Sequence, residues 1–122
     1  MKRSMMQCYV KNSGDAVRVY QQAFGAVLGY NVPAVDSENF YHAELDIEGH
    51  VLAVAENPGA PETGSIMQFC LHYGEGGEDK VRKAYEVLQE GATIGYPLGP
   101  CEFSPLMSDI TDRFGVRWCL FV

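Results

Sequence analysis

The chain has 122 residues, 47% of them hydrophobic and 20% charged, with a formal net charge of −7. That is one domain's worth of chain with enough apolar side chains to bury a core rather than stay disordered. Its acidic balance and scattered Lys and Arg exclude a nucleic-acid surface, which needs clustered basic groups, and no apolar run approaches the length of a bilayer span.

In chain order, residues 5–10 (MMQCYV) open with a strand pattern. Ala16, Val17, Tyr20, Ala23 and Phe24 then recur at helical spacing, with Asp15 placed to cap the start and Gly25 to stop the helix. GAVLGY (25–30) carries that stop into a second strand. FYHAELDI (40–47) and HVLAVAE (50–56) flank Glu48 and Gly49, a hairpin turn pair. The Pro- and Gly-rich run around 58–64 reads as a linker.

The order then repeats. IMQFCLHY (66–73) is a strand, and Val81, Ala84, Tyr85 and Leu88 mark a helix with Glu78 and Asp79 in its first turn. GATIGY (91–96) shares four of six positions with GAVLGY. SPLMSDIT (104–111) and VRWCLFV (116–122) flank a turn over 112–115. Each half reads β-α-β-β-β, so the expected fold class is α+β. Two tandem modules are expected, half 1 at about 1–57 and half 2 at about 65–122, with curved mixed sheets enclosing a cleft.

Strand alternation assigns the faces. Met67, Phe69, Leu71 and Tyr73 form one apolar set, and Tyr41, Ala43, Leu45 and Ile47 another. Val116, Trp118 and Leu120 form a third, and all three are expected under the helices. The opposite faces are amphipathic. GEGGE (74–78) lacks phosphate-loop spacing and carries acids that repel phosphate, so it reads as a turn. Cys8, Cys70, Cys101 and Cys119 contain no Cys-x-x-Cys, and no apolar leader follows the basic Lys2–Arg3 pair. Reduced thiols in a cytoplasmic protein are expected.

HAELDIEGHVLAVAE (42–56) and SDITDRFGVRWCLFV (108–122) resemble the two signature hairpins of the PhnB-like branch of the vicinal oxygen chelate superfamily (glyoxalase I, bleomycin-resistance proteins, extradiol dioxygenases). The helix over 14–26 is also similar to that branch, and the likeness runs the whole length. The resemblance implies a cleft with divalent-metal ligands near Met5 or Gln7, at Ala53, at Ile66 or Gln68, and at Cys119. Ala53 ligates nothing, and two amides with one thiol suit a hard divalent ion poorly. No metal and no cofactor are therefore expected.

The expected function is binding of a small organic molecule in the cleft, lined by Gln7, Tyr9, Gln68, Cys70, Phe103 and Cys119. Phe103, in the loop 97–105, stands near an aromatic lid position of relatives. The alternative is a lyase, isomerase or dioxygenase-type enzyme with a non-standard metal. In it His42 could instead act as general base, oriented by Glu44 two residues along the strand. The same pair also fits a cleft wall with no reaction to catalyse. The resemblance further implies a homodimer.

Overall fold

A computed structural model describes residues 1–122. The elements run β1 (Met6–Val10), α1 (Ser13–Phe24), β2 (Val27–Pro33), β3 (Phe40–Ile47) and β4 (His50–Glu56). They continue as β5 (Phe69–His72), α2 (Glu78–Leu88), β6 (Thr93–Gly99), β7 (Met107–Thr111) and β8 (Arg117–Phe121). The first sheet has the order β1-β4-β3-β2 and the second β5-β8-β7-β6. In each, the first strand pairs parallel to the last and the other pairings are antiparallel. The two compact units are Met1–Pro61 and Glu62–Val122.

In the first unit, Ala16, Val17, Tyr20, Ala23 and Phe24 of α1 are buried, as are Ala43, Leu45, Leu52 and Val54 of the sheet. The cap of α1 differs from expectation. Asp15 lies inside the first turn, paired with Arg18, and the helix begins at Ser13 after Asn12 in the left-handed region (φ 61). The free N–H groups of Asn12 and Ser13 donate to the Glu56 carboxylate at 3.2 and 2.8 Å. An anion at the helix start satisfies those donors and complements the helix dipole. It comes from the end of β4, so local sequence could not reveal it.

The second unit packs Val81, Ala84 and Leu88 of α2 with Ile110, Trp118 and Leu120, all nearly or fully buried. Its hairpin explains the Thr-Asp-Arg-Phe-Gly-Val-Arg-Trp run. Buried Asp112 accepts the N–H groups of Phe114 and Val116 on one oxygen, at 2.9 and 3.0 Å, and the Trp118 indole N–H on the other, at 2.9 Å. One carboxylate thus folds the turn and anchors the largest core side chain.

Tyr41 and Met67 leave the helix-covered sets expected of them, being 61% and 59% exposed. Tyr41 sits at the start of β3, and Met67 precedes β5, which is shorter than its sequence pattern. Alternation predicts a face only where the strand is paired and covered.

The repeated hexapeptide marks more than a helix stop. Register slips between Leu28 and Asn31 in β2, and between Ile94 and Tyr96 in β6. The second glycine of each copy, Gly29 or Gly95, therefore lies in a bulge of the outer strand. A Cβ on Gly95 would stand 3.2 Å from the Asp109 carboxyl carbon. The bulge leaves room for an acid at the middle of the sheet.

Candidate functional site

On the face of the first sheet away from α1, register aligns Gln7 with Ala53 and Ala53 with Glu44, across β1, β4 and β3. Glu44 is buried, 7% exposed. Arg3, from the segment before β1, closes on it with two parallel hydrogen bonds, Nη1 to Oε2 at 2.7 Å and Nη2 to Oε1 at 2.8 Å. Such a fork-on-carboxylate pair is among the stronger charge-assisted contacts. The Arg3 hydrogen bonds, followed by that from His42, hold the Glu44 carboxyl at a pKa of about 2. It is an anion throughout the neutral range.

The His42 ring lies between Gln7 and Glu44, with Nδ1 2.7 Å from Gln7 Oε1 and Nε2 3.1 Å from Glu44 Oε1. A neutral imidazole has one N–H. Two oxygen partners therefore require either an imidazolium or a Gln7 amide turned to present its N–H. In both cases neither ring nitrogen is left for a substrate proton. Tyr30 packs at 5.9 Å between ring centroids from His42, and Tyr9 stands 64% exposed two residues along β1 from Gln7.

The second sheet repeats the design with other residues. Cys70, Cys119 and Asp109 align across β5, β8 and β7. Arg117 forks onto Asp109, Nε to Oδ1 at 3.1 Å and Nη2 to Oδ2 at 2.6 Å, and these bonds lower the Asp109 pKa. Gln68 adds weakly to that depression, although its buried Nε2 reaches no acceptor at normal hydrogen-bond geometry. Cys119 is buried, and desolvation, then the neighbouring Cys70, push its thiol up to about 11. Beyond the thiols, His72 stacks on Phe121 at 4.5 Å, and Phe103 meets Phe121 edge-on at 5.3 Å while remaining 63% exposed.

The structure thus groups the sequence-derived residues by module. Gln7, His42 and Glu44 form one hydrogen-bonded set with Tyr9 beside it; Gln68, Cys70 and Cys119 form another, with Phe103 on the aromatic cluster. Met-Gln occurs at residues 6–7 and again at 67–68, yet in the sheets it is Cys70, not Gln68, that lies beside Cys119 as Gln7 lies beside Ala53.

The profile of the glyoxalase/bleomycin resistance protein/dioxygenase superfamily matches residues 4–120. The chain belongs to that superfamily. A crystal structure from Pseudomonas aeruginosa is similar at a TM-score of 0.83 and 23% identity, covering 99% of this chain and 97% of that one. A PhnB protein from Bacillus cereus is similar at 0.79 and 17%, covering 99% and 98%. The fosfomycin resistance protein FosX from Listeria monocytogenes gives 0.73 and 14%, covering 98% and 91%. These likenesses show the fold. No curated protein matches at a significant level.

The divalent ion that superfamily enzymes hold does not fit these donors. The two central carboxylates are each closed by a guanidinium, and Ala53 supplies nothing. No group of three His, Cys, Asp or Glu side chains is arranged to hold a metal. Cys119 is held as a neutral thiol, the form that does not ligate. Arg3, Asp109, Arg117, His72 and Phe121 are the site residues that sequence reasoning passed over. Asp109 and Arg117 were findable as opposite charges on facing strands of one hairpin. Arg3 carries no such signal, because it lies outside every strand.

Proposed function

We propose that this chain is a metal-free member of the glyoxalase/bleomycin resistance superfamily that binds a small organic molecule against the open faces of its sheets. One observation carries the reading. In both modules the central acid is neutralised by a two-pronged arginine, Arg3 on Glu44 and Arg117 on Asp109. A carboxylate so engaged has its charge offset, and adding a positive ion beside a guanidinium is repulsive. The polar networks are flanked by exposed rings, Tyr9 and Tyr30 in one module and Phe103 in the other. Apolar walls with a few fixed polar groups are what small-molecule sites consist of. The His42–Glu44 contact at 3.1 Å suits a base and its orienting carboxylate, but Gln7 holds the other ring nitrogen at 2.7 Å, so no free nitrogen faces a substrate proton.

Elemental analysis of protein purified without chelators tests the proposal. Zn, Ni, Mn and Fe should each fall well below one per chain, and adding them should leave the melting temperature unchanged. One metal per chain, lost in His42→Ala, would overturn the reading in favour of an enzyme. So would small-molecule binding that a chelator abolishes.

A further inference from the structure

Cys70 and Cys119 are direct partners on the neighbouring parallel strands β5 and β8, so their side chains leave the sheet on the same face. Cys70 is near enough to help raise the Cys119 pKa, and its own thiol reaches Gln68 Oε1 at 4.0 Å. Neighbouring strands lie about 4.8 Å apart, within the roughly 4.4–6.8 Å between Cα atoms that a disulfide spans. The two sulfurs differ in access: Cys70 is exposed and Cys119 buried. The Arg117 guanidinium, fixed by Asp109, lies within electrostatic reach of both. The corresponding place in the first module is held by Ala53, so a thiol at position 119 is not demanded by the packing of the fold.

We propose that Cys70 and Cys119 are a peroxide-sensitive pair that closes into a reversible disulfide across β5 and β8. The Cys70 sulfur attacks one oxygen of a hydroperoxide, the O–O bond breaks, and water or an alcohol departs, leaving a sulfenic acid. Cys119 then gives up its proton as its sulfur attacks the Cys70 sulfur, a step slowed by its raised pKa. The S–O bond breaks and the hydroxyl leaves with the Cys119 proton as water. Two thiols lose two electrons in total, and the peroxide takes both. Access sets the order, because only Cys70 meets the oxidant from solvent. Closure removes both thiol hydrogens from the centre of the open face beside the Arg117–Asp109 pair. The proposal stands whether or not that face binds a small molecule.

Hydrogen peroxide treatment of the full chain, followed by thiol counting and peptide mapping under non-reducing conditions, tests it. The four free thiols should fall to two, with a Cys70–Cys119 peptide link that dithiothreitol reopens. Cys119→Ala should stop at a dimedone-reactive sulfenic acid on Cys70, and its unchanged circular dichroism would show that it folds. Cys101→Ala should leave the link intact. A link through Cys101 or Cys8, or oxidation that leaves Cys70 untouched, would overturn the proposal.

Discussion

Arg3 reaches Glu44 from outside the sheet, and Arg117 reaches Asp109 from the adjoining strand of its own hairpin. The same chemistry is thus reached from two unrelated backbone positions. For Glu44 the consequence can be measured. Its carboxyl is lowered from 4.5 to about 2, chiefly by the Arg3 hydrogen bonds. Between those values the unfolded chain binds more protons than the native one. The contribution of this contact to stability is therefore complete above about pH 4.5 and is lost as pH falls toward 2. Arg3→Ala removes the main cause, so its melting temperature should depend less steeply on pH across that window than the wild type's. Equal slopes in thermal scans would show that Arg3 is a surface contact of no energetic weight.

At the scale of elements, both helices end on the approach to a left-handed glycine, but not identically. Gly25 is the cap residue of α1 itself, at φ 63. Gly91, at φ 70, follows α2 by a further turn, since Gln89 is the cap and remains right-handed. A Cβ at Gly25 would meet nothing within 4 Å, whereas one at Gly91 would stand 3.1 Å from the Arg113 Cβ. Gly25→Ala should cost about 1 kcal/mol, from backbone strain alone. Gly91→Ala should cost at least as much, with the Arg113 contact added. Urea denaturation of the two variants measures this, and a neutral Gly25→Ala would contradict the cap. The helix stops, the β3–β4 hairpin and the module order were legible in sequence because each depends on neighbours a few residues apart. The helix start at Ser13 was not, because Glu56 arrives from the other end of the module.

At the scale of the molecule, each sheet ends on a bulged outer strand with exposed apolar side chains, Val27, Tyr30 and Val32 on β2 and Ile94 and Tyr96 on β6. No helix is long and apolar enough to cross a membrane. Unpaired apolar edges are usually covered by another chain, and a two-fold pair is the commonest closed arrangement. Light scattering should give a mass near twice 13.5 kDa. A monomer persisting at high micromolar concentration would refute the pairing.

By itself the sequence determined the modular plan and the family. Period-2 and period-3.6 patterns, turn glycines and the Asp112–Trp118 run are local, and locality is what a linear reading can follow. It also showed that Ala53 ligates nothing and that two amides with one thiol suit a hard divalent ion poorly. Only tertiary structure decided which groups meet at each module's centre. The second hairpin turn is longer than the first, and the Met-Gln similarity is out of step with strand register, so Gln7 corresponds to Cys70 rather than Gln68. The arginine clamps, the occupied nitrogens of His42 and the contact between Cys70 and Cys119 all depend on that register. Apart from the Arg117–Asp109 pair, which lies within one hairpin, these contacts join segments tens of residues apart, and no short window of sequence contains both partners.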